Sequence, residues 1–263
     1  MSVESLDAPA RGAASRGLWP KEHGAYGQLG LPIVTSLATG TPTVASVLFA
    51  AAAVAAFVAH EPLLVWMGRR GARARREDGG RALRYGASFA ASGVALGVGA
   101  MVIGGSAAAQ IALLPLGLAL LALVFVVKNQ ERTTLGELVV GGALPSAALP
   151  VAVAGGVATE LALGTWAAWS LAFACATAAV RCVVGRAKSG RRSATLVAIA
   201  LVATAILGVL SLRIAVVRAA FPVLLVCWML LAVPPHPRHL RRVGWTLVAS
   251  TTAMAILVVA FAR

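Results

Sequence analysis

Acidic side chains are scarce in this 263-residue chain: nine Asp and Glu stand against 23 Lys and Arg, a formal charge of +14. Charged residues of either sign make up only 12% of the sequence, and two tyrosines and three cysteines complete the list of shortages. Soluble domains carry about one quarter charged residues, so the composition excludes an ordinary water-soluble globule. Too few cysteines are present for a disulfide scaffold, and Cys175, Cys182 and Cys227 show no C-x-x-C spacing that would suggest a metal site. What is abundant is apolar: 59% of residues are hydrophobic and the mean hydropathy is +0.86. A pI near 11.5 invites a nucleic-acid reading. With no soluble body to carry a basic face, no nucleic-acid partner is expected.

A helix needs about 20 apolar residues to cross the hydrocarbon of a bilayer. Nine segments qualify, at about 24–40, 43–67, 83–104, 110–127, 135–155, 161–184, 193–212, 217–233 and 243–262. The expected fold is therefore an all-α integral membrane protein, with a tail over 1–22 and a nine-helix transmembrane domain over 23–263. Residues 1–18 mix charges with small residues and lack the apolar core of a signal peptide, so the tail is expected to be cytoplasmic. Sorting the loops by side places 20 of the 23 basic residues with that tail, and leaves Arg213, Arg218 and Arg263 opposite. Such a split follows the positive-inside rule. It predicts a multi-pass protein of the bacterial cytoplasmic membrane, N-terminus inside and C-terminus outside, against an anionic leaflet.

Polar clusters gather on the basic side. His60-Glu61-Pro62 lies within span two, and ionisable groups at membrane depth are costly enough to imply a partner or a function. Natural partners for Glu61 are His23, Arg69 or Arg181. Glu22 and His23 open span one, with Tyr26 one turn on. Asn129, Glu131 and Arg132 precede span five, and Arg181 closes span six ahead of Arg186. Glu61, His60, Glu22 and His23 are candidate proton-moving groups. Arg181, Arg186, Tyr26, Asn129, Glu131 and Arg132 are candidate substrate- or anion-binding groups. Each has a structural alternative: Glu137 follows Thr134 at capping-box spacing, and the seven arginines and two acids between Arg69 and Arg84 read as a topogenic loop.

The run Trp19-Pro20-Lys21-Glu22-His23-Gly24-Ala25-Tyr26 resembles the P-x-E-H-G-A-aromatic signature of the YwiC-like family of bacterial membrane proteins. His60-Glu61-Pro62, Glu131-Arg132 and Pro237-Arg238 with Gly244-Trp245 are similar to that family as well. A more distant resemblance, carried by the span count and by Lys128 to Pro145, is to the UbiA superfamily of intramembrane prenyltransferases. It implies a UbiA-like bundle with a cytoplasmic site between the helices and an isoprenoid or other lipid ligand. Where that superfamily has N-D-x-x-D-x-x-x-D, this chain reads His60-Glu61-Pro62-Leu63-Leu64-Val65-Trp66. Where the second Asp-rich motif belongs, it reads Arg181-Cys182-Val183-Val184-Gly185-Arg186. Paired carboxylates hold the Mg²⁺ that neutralises a diphosphate, so no cofactor is expected, Mg²⁺ included, and Mg²⁺-dependent prenyl transfer is not the expected reaction. The implied function is a divergent UbiA-like enzyme, with transferase-like activity left open, or a lipid-binding protein. A transporter and a non-catalytic assembly factor are the alternatives.

Overall fold

The computed structural model describes residues 18–20, 23–189, 193–233, 235–236 and 239–262, with the side chains of His23 and 187–189 also outside the description. Ten α-helices follow one another: α1 His23–Thr39, α2 Val44–Trp66, α3 Ala72–Ile103, α4 Gly105–Val127, α5 Thr134–Ser146, α6 Ala148–Ala154, α7 Thr159–Ser189, α8 Ala194–Ser211, α9 Phe221–Ala232 and α10 Leu240–Ala262. A 3-10 helix, Ala215–Ala220, leads into α9. No strand occurs among the described residues.

Eight segments are long and apolar enough to cross a membrane: α2, α3, α4, α5 with α6, α7, α8, the 3-10 helix with α9, and α10. The 17 residues of α1 are about 25 Å long, a little short of a hydrocarbon core about 30 Å thick. Nine expected spans thus correspond to eight full-length crossings and one shorter helix.

Local chemistry explains the boundaries. Thr43 and Ser46 form a reciprocal capping box at the start of α2, with bonds of 3.1 and 2.8 Å. The Thr43 hydroxyl also donates to the Ala154 carbonyl at 3.0 Å, tying that end of α2 to the end of α6. Pro145 sits at the junction of α5 and α6 and removes one helical donor. Beside this break the Trp166 indole donates to the Gly142 carbonyl at 3.0 Å, a satisfaction by a neighbouring helix of the kind apolar surroundings demand.

One segment departs from expectation. Residues 72–82, read from composition as a loop, form the first turns of α3, a 32-residue helix about 48 Å long. Alanine and arginine are strong helix formers. The pairs Arg73–Glu77 at 2.7 Å and Asp78–Arg81 at 3.6 Å stand at the helical spacings i,i+4 and i,i+3. Hydropathy registers only apolar length, so it misses a charged helix that continues an apolar one.

Close packing relies on small residues. A Cβ on Gly93 of α3 would stand 3.3 Å from the Ala52 carbonyl oxygen and 3.4 Å from the Ala56 nitrogen, so glycine lets α2 and α3 meet backbone to backbone. The largest buried cluster centres on α7, where Trp169 stacks on Phe173 at 5.4 Å, with α8, α9 and α10 around it. Half of the apolar window of α7 is buried, against 11% for α3 and α4. Helix α7 is thus the central post, while α3 and α4 present most of their surface outward.

Candidate functional site

Among the described residues, the polar clusters around His60–Glu61, Asn129–Arg132 and Arg181 lie at one end of the bundle, where α2 and α4 finish and α3 and α5 begin. At the exit of α2, Met67 caps the helix and the chain reverses through Gly68 (φ +76°) and Gly71 (φ +105°). Both angles lie in the left-handed region that glycine adopts without strain. This reversal brings Arg70 back onto α2, where it grips Glu61 through both carboxylate oxygens. Its Nε donates to Oε1 at 2.9 Å and its Nη2 to Oε2 at 2.6 Å.

Among the described side chains the partner of Glu61 is therefore Arg70, in place of Arg69 or Arg181, while the His23 side chain lies outside the description. Arg69 is turned away, donating to the Asn129 side-chain oxygen and to the Val127 carbonyl. Asn129 itself takes a positive φ of 56° at the end of α4, a conformation asparagine tolerates better than most residues. The α2–α3 turn is thereby fastened to α4. His60, next to Glu61 in sequence, is exposed while Glu61 is buried. Successive helical residues point about 100° apart, so the two side chains leave α2 in different directions.

A second set of contacts joins α5 and α7. Arg181 pairs with Glu137 at 2.7 Å and reaches the Arg132 carbonyl at 3.3 and 3.4 Å. The cap of α5 is Thr133, whose hydroxyl accepts from the Gly136 nitrogen at 3.1 Å. The capping frame falls one residue earlier than the Thr134–Glu137 spacing suggests, which leaves the Glu137 carboxylate for Arg181. Asn129 and Arg132, three positions apart in one loop, thus serve different corners of the bundle. Arg186 is exposed near the end of α7, and Glu131 is half-buried in the α4–α5 loop.

Tyr26 acts locally. Its hydroxyl donates to the Pro20 carbonyl at 3.0 Å, and its ring meets Phe57 edge-on at 5.0 Å. Leu18 lies on a small apolar cluster of Val65, Ala74 and Ala82. Residues 18–20, before α1, are therefore held against the α2–α3 corner. Glu22 and the side chain of His23 lie outside the described residues.

Among the described residues, no group of three or more His, Cys, Asp or Glu is placed to hold a metal ion. Two open grooves lie at the α2–α3 turn. One is lined by Trp66, Met67, Gly68, Arg69, Arg75 and Val127. The other is lined by Met67, Gly68, Ala72, Arg75 and Arg76. Sequence reasoning passed over Arg70, Arg75 and Arg76 as parts of a basic loop. The glycines at Gly68 and Gly71, spaced for a tight reversal, were the available signal.

A family model described as YwiC-like protein matches residues 19–153, just over half of the chain. No curated protein and no solved structure matches. The matched region contains the segment before α1, the α2–α3 turn with its ion pair, and the α4–α5 loop.

Proposed function

The chain belongs to the YwiC-like family, and from that premise and its bundle of membrane-length helices we propose that it binds an anionic amphiphile, a lipid or isoprenoid phosphate, at its basic end. That end faces the cytoplasm in this reading, following the distribution of Lys and Arg.

One observation carries the proposal: four acids at this end are each held by an arginine, and further arginines remain among the described residues. Glu61 is held by Arg70, Glu77 by Arg73, Asp78 by Arg81 and Glu137 by Arg181. Arg75, Arg76 and Arg84 have no acidic partner among the described residues. Concentrated where helices leave the hydrocarbon, surplus guanidinium groups attract anionic headgroups and match phosphate through paired donors. The likeness to intramembrane prenyltransferases enters only as an arrangement, headgroup at the basic end and tail between helices. Glu61 has both oxygens engaged by Arg70, so in this reading it anchors the site and does not serve as a mobile proton carrier. Polar groups at one end suit such a binder better than a midplane transport relay.

Mass spectrometry of lipids retained by the detergent-purified protein tests the proposal. The expected result is enrichment of anionic or isoprenoid phosphates over their share in the source membrane. A retained set with the composition of the bulk extract overturns it.

A further inference from the structure

The charged face of α3 is unevenly neutralised. Over about two and a half turns, Arg73 and Arg81 each meet an acid of their own helix, and Arg70 just before them meets Glu61. Arg75 and Arg76, between them in sequence, are exposed and have no acidic partner among the described residues. Arg75 lines both grooves at the α2–α3 turn and Arg76 lines one of them.

Arg75 is also placed with care. Its stem lies across Gly68, where an added Cβ would stand 3.3 Å from the Arg75 Cδ. Glycine at this position thus serves twice: it accepts the left-handed φ of the reversal, and it leaves a floor over which the Arg75 side chain lies. Arg69, on the same groove, is fixed by Asn129 and the Val127 carbonyl. It contributes a positive wall whose position is already set before any ligand arrives. The remaining lining is apolar or amphipathic: Trp66, Met67 and Val127, at the ends of α2 and α4. Tryptophan is enriched at the headgroup level of membranes, which marks the depth of the groove.

We propose that the groove of Trp66, Arg69, Arg75 and Val127 binds the phosphate of an anionic membrane lipid, with Arg75 as the principal ligand, Arg69 beside it, Arg76 in the adjoining groove, and Trp66 and Val127 against the glycerol and first acyl carbons. The inference rests on the anionic-amphiphile reading above and assigns it a place and a ligand class. Free phosphate would satisfy the arginines equally well. The apolar rim at the edge of the hydrocarbon selects the lipid, because only a lipid fills both parts of the groove.

The test uses the full chain in detergent, titrated with short-chain phosphatidylglycerol and, separately, phosphatidylcholine, and read by native mass spectrometry. Three proteins are compared: wild type, Arg75→Gln and Arg84→Gln. Arg84 is exposed on the same helix and lies outside the groove, so its variant removes the same charge without touching the site. Losing one charge-assisted phosphate contact should weaken phosphatidylglycerol binding about tenfold in Arg75→Gln, and Arg84→Gln should change it less than about twofold. Thermal stability without anionic lipid should be the same in all three, since Arg75 is exposed.

Equal weakening in the two variants would mean diffuse attraction and overturn the assignment. Competition by inorganic phosphate at concentrations equal to the lipid would overturn the choice of a lipid. Preference for phosphatidylglycerol that survives Arg75→Gln removes this groove and leaves the general reading standing. Equal binding of both lipids by wild type removes the general reading itself.

Discussion

Replacing Arg70 with alanine should cost far more than replacing Glu61 with glutamine, although both changes break the same ion pair. The Glu61 side chain is 8% exposed and that of Arg70 is 23% exposed. Arg70→Ala strands a carboxylate inside the bundle. Removing one partner of a buried pair costs about 3–5 kcal/mol, and the part-exposure of Arg70 places this case at the lower end, about 3 kcal/mol. In a chain of this size that corresponds to a fall in Tm of roughly 6–12 °C. Glu61→Gln keeps an acceptor in place, and the part-exposed guanidinium can turn to water or to headgroups. Its cost should be about 1 kcal/mol. The double change Glu61→Leu with Arg70→Met should return within about 1 kcal/mol of wild type, because neither charge is then left alone. Thermal unfolding in lipid nanodiscs, followed by tryptophan fluorescence, measures all three. Two single variants with equal losses below about 1 kcal/mol would show a solvated surface pair and refute the reasoning that Glu61 is a desolvated anchor.

Other contacts give smaller or sharper effects. Tyr26→Phe removes only the hydroxyl bond to Pro20 and should cost about 1 kcal/mol, with faster hydrogen exchange at the Leu18 and Trp19 amides. Arg181→Ala and Glu137→Gln affect a pair whose side chains are about one third exposed; a double-mutant cycle should find a coupling of about 1 kcal/mol or less. Gly40→Ala places a methyl 2.8 Å from the Gly155 carbonyl oxygen, a backbone atom with little room to yield. Overpacking there should cost about 1–3 kcal/mol, visible as a lowered Tm.

Much of the architecture is written in apolar length. Segments such as α4, 23 residues without a charged side chain, have only one stable surrounding, and their bounds follow from where the apolar run ends. Polar detail was less legible because it depends on angles that hydropathy does not carry. Glu61 announced itself as a carboxylate needing a cation. Which arginine answers was decided by the left-handed glycines Gly68 and Gly71, which turn Arg70 inward and send Arg69 to α4. The charged start of α3 was hidden for a related reason, since helix propensity and i,i+4 pairing shaped it and burial did not. At α5, a one-residue shift of the cap from Thr134 to Thr133 redirected Glu137 from its own helix to Arg181.

The account rests most heavily on a lipid phosphate seated at the α2–α3 turn. Photocrosslinking with a phosphatidylglycerol that carries a diazirine near its headgroup, in nanodiscs of otherwise zwitterionic lipid, tests this directly. Peptide mapping should place the adducts on Trp66–Arg76 and around Val127, with excess unlabelled phosphatidylglycerol removing them. Adducts spread evenly over the outward faces of α3, α4 and α10, or undiminished by the competitor, would contradict the account.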